Sequence, residues 1–230
     1  MYWNRVMLCF LASPSITISS GLSYDLVVIG GGSAGLTAAK FATTFGKSAV
    51  IIEKAKLGGD CTWTGCVPSK ALLKSASIAH AARTANKYGV KIAGEVTTDM
   101  KEVMERVKSI QEHIYEEDDS IEVMKGLGVD TIEGSAFFDA ANVLKVTDAG
   151  GKVTEVYAKE GVVIASGAKP IKPDKFIDGL DSVKYITYEE VFDLDYLPKK
   201  MTIVGGGPIG CELAQAFARL GSQVTQIASR

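Results

Sequence analysis

This sequence of 230 residues has few cysteines and a net charge close to zero, and both features narrow the possible functions. Four cysteines are too few for the disulfide framework of a small secreted protein, so any disulfide is expected to be catalytic rather than structural. The 25 basic and 27 acidic residues give a net charge of -2, without the basic stripe that binds nucleic acid or an anionic membrane. We therefore expect neither as a partner.

Acidic residues are absent from the start of the chain, where Asp25 is the first. Residues 1–23 carry an apolar run, Val6 to Ala12, followed by several serines. That run is far shorter than the ~20 residues that cross a bilayer. The segment fits a weak signal peptide, a plastid or mitochondrial transit peptide, a disordered extension or an unreliable gene start. We exclude it from the predicted fold, and the compartment, an organelle or the cytoplasm, stays open.

Two of the four cysteines, Cys61 and Cys66, lie five residues apart within the stretch Gly58–Lys70. On an ideal helix their Cα atoms would be about 8.5 Å apart, whereas a disulfide needs roughly 4.4–6.8 Å. A disulfide therefore requires an irregular segment between them, and Gly65 gives the backbone that freedom. The pair is typical of a redox dithiol, but two unpaired small hydrophobic residues have the same spacing. Half of a metal site is disfavoured because a second pair of ligands is missing.

The residues after Cys66 predict a helix that begins close to it. Pro68 is suited to the first turn of a helix and poorly tolerated further in. Cys66 is then near a helix N-terminus, where the partial positive charge favours a thiolate. Lys70 follows one turn later on the same face and adds a cation.

A dinucleotide-binding pattern precedes the cysteines. Tyr24–Ile29 predicts a buried parallel strand, and it meets the GxGxxG turn Gly30–Gly35. A helix over Leu36–Phe45 and a strand over Ser48–Ile52 follow, and Glu53 comes directly after that strand. Such glycines let a pyrophosphate approach the helix N-terminus, and the acid binds a ribose hydroxyl. The alternative is a glycine turn that serves packing alone.

The same pattern returns after Leu197-Pro198, a predicted domain boundary. Strand, glycine turn, helix and strand follow in order: Met201–Val204, Gly205–Gly210, Cys211–Leu220 and Gln223–Ile227. Ala228 stands where an acid would favour NADH. Arg230 is close enough in sequence to meet a 2′-phosphate, so the pattern favours NADPH weakly.

The segment between the two patterns predicts a helix rich in Ala, Lys and Ser, and then a second helix. Asp99 can cap that second helix, which we expect to continue to about Lys125. Strands are predicted after it, the middle two as a hairpin around Gly150-Gly151: Val129–Phe138, Asn142–Thr147, Lys152–Ala158 and Gly161–Ala165.

The turn Gly30–Gly35, Glu53 and the stretch Gly58–Lys70 together resemble the FAD domain of the class I pyridine nucleotide-disulfide oxidoreductases. This family includes glutathione reductase, dihydrolipoamide dehydrogenase and mercuric reductase. The resemblance implies an α/β fold with a Rossmann-like FAD-binding domain and an antiparallel β insertion over residues 24–197. It also implies the start of a second Rossmann-like, NAD(P)-binding domain over residues 198–230.

The resemblance also implies a route for electrons, from NAD(P)H through FAD to a Cys61–Cys66 disulfide. Cys66 would lie against the flavin, Cys61 would attack the substrate, and Lys70 with Glu212 would lie near the flavin N5. The implied FAD contacts are Gly30, Gly32, Ser33, Ala34, Gly35, Glu53, Lys54, Gly59, Asp60, Lys70, Ala136, Ala165, Ser166 and Gly167. The implied NAD(P) contacts are Gly205, Gly207 and Gly210, and no metal is expected.

Substrate and partners follow from the same resemblance. The substrate would be a small disulfide, dihydrolipoamide or a metal ion, and the full-length protein would be a homodimer. Neither His80 nor His113 matches the catalytic histidine that the family carries in a later domain, so we expect a fragment of a longer protein. The alternatives are a non-catalytic FAD-binding fragment and a two-dinucleotide flavoenzyme with structural cysteines.

Overall fold

The computed structural model of the chain describes residues 7–10, 21–172 and 177–228. They form two compact units that alternate along the sequence. The described residues of the first unit fall within Met1–Cys61 and Ile114–Lys169, and those of the second fall within Thr62–His113 and Pro170–Arg230. These units are defined by compactness. The predicted division into an FAD-binding domain up to residue 197 and an NAD(P)-binding domain from residue 198 is defined by ligand binding, and it stays a prediction.

A seven-stranded sheet forms the centre of the first unit, as far as the structure describes it. Its strands are β1 (Met7–Phe10), β2 (Leu22–Ile29), β3 (Ala49–Glu53), β4 (Val129–Glu133), β5 (Ser135–Ala140), β6 (Val143–Thr147) and β7 (Val153–Ile164). The order is β4-β3-β2-β7-β6-β5, and β1 pairs with the second half of β7. Strands β4, β3, β2 and β7 are parallel, whereas β5 and β6 are antiparallel additions. The predicted α/β fold with an antiparallel insertion is confirmed.

The central strand β3 and the end of β2 are buried on both faces of the sheet, which explains their continuous apolar runs. Neighbouring residues of β2 point to opposite faces, so Val28 joins one core cluster and Val27 joins another. Helix α1 (Ser33–Thr44) covers the first face through Leu36 and Ala39. The second cluster contains β6 and β7 residues such as Leu144.

The second unit combines three long helices with a small sheet. Its elements are α3 (Cys66–Thr84), α4 (Met100–Ile114), β8 (Lys200–Val204), α6 (Pro208–Leu220) and β9 (Gln223–Ile227). Strands β8 and β9 are parallel, as the repeated pattern predicts. One core cluster joins the helices and contains Leu72, Met104, Val107, Phe192 and Phe217. A short helix, α2 (Gly59–Trp63), precedes α3 in the sequence.

The prediction of one continuous helix from Asp99 to Lys125 is wrong, because the structure has two α-helices in this segment. Asp99 does cap α4, because its Oδ1 accepts the backbone N–H groups of Lys101 and Glu102. Helix α4 ends at Ile114, a π-helical turn follows, and a separate α5 (Ile121–Gly126) begins. Ser120 causes the break, since it is extended and its Oγ accepts the N–H of Val123 as an N-cap.

Two strand predictions also need correction. The run Val129–Phe138 is divided at Gly134, whose φ of +156° and close approach to the Thr147 carbonyl oxygen bend the chain between β4 and β5. The stretch Gly161–Ala165 is no separate strand, because β7 continues through it to Ile164.

The predicted leader, residues 1–23, also overlaps the sheet. Its exclusion from the fold is corrected for Met7–Phe10, which pairs with Gly161–Ile164, and for Leu22 and Ser23, which belong to β2. Residues 1–6 and 11–20 lie outside the described residues, and a targeting role stays a prediction. Within the described parts of the chain, no helix has the length and apolar character needed to cross a membrane.

Asp25 stabilises the sheet at the point where the pairing of β2 with β7 shifts register. Its Oδ2 accepts the Ser48 backbone N–H and hydroxyl, each at 2.8 Å, and Lys159 lies 3.3 Å from Oδ1. These hydrogen bonds, and then the lysine charge, lower the pKa of Asp25 from 3.8 to about 2. Because the folded pKa is depressed, the stabilisation is complete well above pH 4 and is lost as the pH falls towards 2.

We therefore predict that Asp25→Asn lowers the free energy of unfolding at pH 7 by about 1–2 kcal/mol, as expected for hydrogen bonds to a charged group. Urea unfolding at pH 7 and pH 3 measures this, and the difference from wild type should be smaller at pH 3. Asp139→Asn is the control, since its exposed pair with Lys145 should contribute under about 1 kcal/mol. An Asp25→Asn effect that does not change between the two pH values would contradict the assignment.

Candidate dinucleotide and dithiol site

The carboxyl ends of the parallel strands meet at one edge of the first unit's sheet. The backbone N–H of Gly30 donates to the Ile52 carbonyl at 2.8 Å, and that of Ala165 donates to the Ile29 carbonyl at 2.8 Å. The Gly134 N–H donates to the Glu53 carbonyl at 2.9 Å. The glycine turn, Glu53 and the segments that lead to Ala136 and to Ser166-Gly167 therefore leave neighbouring strands at this edge. In open α/β sheets, ligands bind at such an edge.

The structure gives different reasons for the presence of glycine at the three motif positions of the first turn. A Cβ on Gly30 would lie 2.2 Å from the Ala165 carbonyl oxygen, and one on Gly35 would lie 1.8 Å from the Gly30 carbonyl oxygen. Packing therefore demands glycine at both positions. A Cβ on Gly32 would meet nothing closer than the Gly59 Cα at 3.6 Å, and the φ of Gly32 is an ordinary -82°. Packing does not explain this glycine, whereas a phosphate that approached the backbone closely would require it.

The start of helix α1 is open to a ligand. Gly32 is its N-cap and provides no side-chain hydrogen bond to the first turn. Ser33 and Ala34 follow and are exposed. The first N–H groups of a helix lack intrahelical partners, and an anion can accept from them. These residues fit a dinucleotide pyrophosphate.

Glu53 lies beside this turn. Its Oε2 accepts the Gly31 N–H at 2.6 Å, and its Oε1 accepts the Ala55 N–H at 2.9 Å. The carboxylate is thus fixed in orientation, and each of its oxygens can accept a second hydrogen bond. Its position fits the predicted ribose contact, and the exposed Lys54 follows it.

The beginning of the cysteine stretch packs against the glycine turn. Gly58 donates its N–H to the Gly31 carbonyl at 2.8 Å and forms a parallel bridge with Gly32. A Cβ on Gly59 would lie 2.6 Å from the Gly32 Cα. This contact between two backbones explains why glycine is found at both 58 and 59. Asp60 and Cys61 are the next two residues of the chain and belong to the same unit.

The second unit repeats the turn. A Cβ on Gly210 would lie 2.3 Å from the Gly205 carbonyl oxygen, whereas nothing lies within 4 Å of a Cβ on Gly207. Gly207 is again a helix N-cap without a side-chain hydrogen bond, here for α6. The third glycine is needed for packing and the middle one leaves space, as in the first unit. This turn also fits a dinucleotide.

Helices α3 and α6 of the second unit run in parallel. Near their N-termini, Lys70 and Glu212 form an ion pair. Near their C-termini, Arg83 donates to the carbonyls of Arg219 and Leu220 at 2.5 and 2.9 Å. Since the N-terminal parts of α3 and α6 are paired with each other, and so are their C-terminal parts, the two helices begin at the same end of the unit. Cys66 at the start of α3 therefore lies at the same end of this unit as the second glycine turn.

Comparison with known proteins agrees with this arrangement. The sequence model of the family described as pyridine nucleotide-disulphide oxidoreductase matches residues 24–230. The chain belongs to this family.

Curated relatives in the family have different names. A dihydrolipoyl dehydrogenase of Bacillus subtilis is 37% identical over 207 residues, which are 88% of this chain and 43% of the relative. A mercuric reductase of Streptomyces lividans is also 37% identical, over 88% of this chain and 42% of the relative. A dihydrolipoyl dehydrogenase of Chlorobaculum tepidum is 35% identical, over 88% of this chain and 42% of the relative. The chain therefore spans less than half the length of these relatives.

The pyridine nucleotide-disulphide oxidoreductases use FAD and NAD(P)H. The implied FAD contacts lie in the first unit except Lys70, and the implied NAD(P) glycines lie in the second. Arg230 lies outside the described residues. Among the residues that the structure describes, no group of three or more His, Cys, Asp or Glu side chains could hold a metal ion.

The cysteines of this family member lie in separate helices. Cys61 is half-buried in α2, which ends at Trp63, and Cys66 is exposed at the first position of α3. Between the helices Gly65 has φ -128° and ψ -109°. The prediction of an irregular segment is confirmed, and so is the position of Cys66 at a helix N-terminus. The disulfide and the catalytic roles of these residues stay predictions.

Sequence reasoning missed one residue near the cysteines. Gln111 on α4 is only 6% exposed, and its Nε2 donates to the carbonyls of Thr62 and Trp63 at 3.0 and 2.7 Å. Gln111 follows Met104 and Val107 by seven and four residues, so it lies on the apolar stripe of its helix. A polar residue on that stripe was the available signal.

We predict that Gly32→Ala and Gly35→Ala separate ligand binding from folding. Gly32→Ala should keep the wild-type melting temperature within a few degrees but weaken FAD binding at least tenfold, because its methyl group occupies the phosphate's approach. Gly35→Ala should instead destabilise the fold, since its Cβ would overlap the Gly30 carbonyl oxygen.

Thermal unfolding and FAD titration by fluorescence quenching measure both effects. Gly46→Ser is the control, because Gly46 ends α1 at a distance from the turn and no atom lies within 4 Å of its Cβ. It should lose some stability through its φ of +72° but bind FAD as wild type does. Normal FAD binding by a folded Gly32→Ala variant would contradict the assignment.

Proposed function

We propose that this chain carries the FAD site and the redox dithiol of a NAD(P)H-dependent disulfide reductase. The observation that supports it best is the pair of glycine turns, each open at its middle glycine, in a chain with an exposed cysteine at a helix N-terminus. Family membership supports the same reaction class. The net reaction converts NAD(P)H, a proton and one disulfide into NAD(P)⁺ and two thiols.

The thiol chemistry is assigned to Cys61 and Cys66. In the reductive half of the cycle, their disulfide accepts two electrons and becomes a dithiol. Bound FAD supplies the two-electron carrier between the nicotinamide and this disulfide. The Cys61 thiolate then attacks the substrate disulfide, forms a mixed disulfide and displaces one thiol. The Cys66 thiolate attacks the Cys61 sulfur, which restores the internal disulfide and releases the second thiol.

The surroundings of Cys66 favour its thiolate form. It is the first residue of the 19-residue helix α3, so its sulfur lies near the positive end of the helix dipole. Lys70 follows one turn later and is paired with Glu212.

The Lys70 side chain is 68% exposed, so we expect the ion pair to orient the lysine more than to stabilise the fold. The proposed role of this pair is to keep the lysine near the flavin N5 region.

A small disulfide, or its dithiol in the reverse direction, is the proposed substrate class. The similarity to dihydrolipoyl dehydrogenases supports this choice. A metal ion is the second candidate, supported by the equal identity to a mercuric reductase. In both cases the same two cysteines would deliver the electrons.

NADPH is the proposed electron donor. In the first unit, Glu53 reaches the N–H of Gly31, the second residue of its turn. In the second unit, a Cβ on Gly206 would lie 2.6 Å from the Ala228 Cβ, so Ala228 occupies the corresponding place. No carboxylate is present there to bind the two ribose hydroxyls of NADH or to repel a 2′-phosphate.

We predict that reductive titration of the full-length, FAD-loaded protein produces a long-wavelength thiolate–flavin absorption band. Cys66→Ser should abolish the band, because the thiolate that would contact the bound flavin is then missing. Cys61→Ser is the matched control and should show the band before any reductant is added, since Cys66 cannot then be held in a disulfide.

NADPH and NADH are compared as reductants in the same titration, and NADPH should reduce the wild-type flavin at least tenfold faster at equal low concentration. A folded wild-type protein with FAD bound but without the band would overturn the proposed role of Cys66. Retention of the band in Cys66→Ser would do the same.

A further inference from the structure

The segment between Cys61 and Cys66 is held by a side chain from a distant part of the second unit. Gln111 lies near the C-terminal end of α4, and its amide nitrogen donates to two successive carbonyls, those of Thr62 and Trp63. The donor–acceptor distances of 3.0 and 2.7 Å are those of well-formed hydrogen bonds. Thr62 is itself only 2% exposed.

The Gln111 amide uses both of its donors on the end of α2. A glutamine amide has two N–H donors, and both are used here on neighbouring carbonyls. These carbonyls belong to the last two residues of α2, and the final carbonyls of a helix are the groups that a C-terminal cap binds. Gln111 therefore acts as the C-terminal cap of α2, supplied from 48 residues away along the chain.

The end of α2 matters because it determines whether the two cysteines can bond. If α2 continued through Thr64 and Gly65 into α3, the Cα atoms of Cys61 and Cys66 would be separated by about 8.5 Å. A disulfide tolerates at most about 6.8 Å. The chain must therefore leave the helix between the two cysteines for the sulfurs to meet. It does so after Trp63, the residue whose carbonyl Gln111 binds.

We propose that Gln111 is a positioning residue for the redox dithiol: its amide ends α2 at Trp63 and so favours closure of the Cys61–Cys66 disulfide. This inference rests on the proposed function, since it presumes that the two cysteines form a disulfide. Gln111 touches neither sulfur in this role and acts only through the backbone between them.

The test measures the disulfide equilibrium directly rather than turnover. The full chain, saturated with FAD, is equilibrated in glutathione buffers of graded ratio, trapped with an alkylating agent, and assayed by mass spectrometry for modified Cys61 and Cys66. Gln111→Met keeps the length of the side chain but removes both donors. It should shift the equilibrium at least tenfold towards the dithiol, which is about 30 mV for a two-electron couple.

Two further variants make the result specific. Gln111→Glu keeps the volume of the side chain but places an oxygen against the two carbonyls, and it should shift the equilibrium at least as far. Val107→Ala lies one turn earlier on α4, with its side chain in the core cluster. It should lower stability through lost packing but leave the equilibrium within twofold of wild type.

The outcomes separate this inference from the proposed function. A wild-type disulfide that forms normally, with both Gln111 variants within twofold of it, would overturn the positioning role alone. Equal shifts in Val107→Ala and Gln111→Met would also overturn it, because general loosening of α4 would then explain both. A wild-type chain that forms no Cys61–Cys66 disulfide at any glutathione ratio would overturn the proposed function together with this inference.

Discussion

The close approach of a helix to the end of a strand, at a place where no Cβ fits, is the constraint on which the first unit depends. Gly35 brings the first turn of α1 against the Gly30 carbonyl, and Gly30 itself packs on the chain that leaves β7. This contact directs the open N-terminus of α1 to the carboxyl edge of the sheet. The same turn then packs against Gly58 and Gly59, so the backbone proposed to bind a phosphate also fixes the start of the cysteine stretch.

The second unit depends on a different constraint, the parallel packing of α3 and α6. Their buried faces share one core cluster, which includes Leu72 and Phe217. Charged contacts hold the pair at both ends, with Lys70 and Glu212 at one and Arg83 at the other. Cys66 and the second glycine turn are therefore held in the same unit, although they are far apart in the sequence.

Local signals in the sequence were sufficient for the elements nearest the site. The strand that ends at Ile29, the helix expected over Leu36–Phe45, the position of Glu53 after the next strand and the helix start near Cys66 all follow from short-range patterns of glycine, proline and apolar residues. The structure agrees with each of these elements within a few residues. Such patterns are reliable because backbone geometry at a glycine turn or a helix start is decided by the residues present there.

Features that depend on distant residues could not be predicted in this way. The helix expected to reach Lys125 was broken by the cap of Ser120, whose choice between helix interior and N-cap depends on how α5 packs against the sheet. The strand expected to reach Phe138 was bent because Gly134 meets the Thr147 carbonyl, which comes from another strand. Gln111 was missed for the same reason, since its partners lie 48 and 49 residues earlier.

Both glycine turns are assigned as nucleotide sites, and amide hydrogen exchange on the full chain, with and without ligand, examines this assignment at the residues concerned. FAD should slow exchange of the amides between Gly30 and Leu36, and NADP⁺ should slow exchange between Gly205 and Cys211. The first unit also contains an apolar cavity of about 260 Å³, lined by residues that include Phe138, Ala158 and Val162. Protection by FAD around that cavity, with unchanged exchange at both glycine turns, would show that the assignment is wrong.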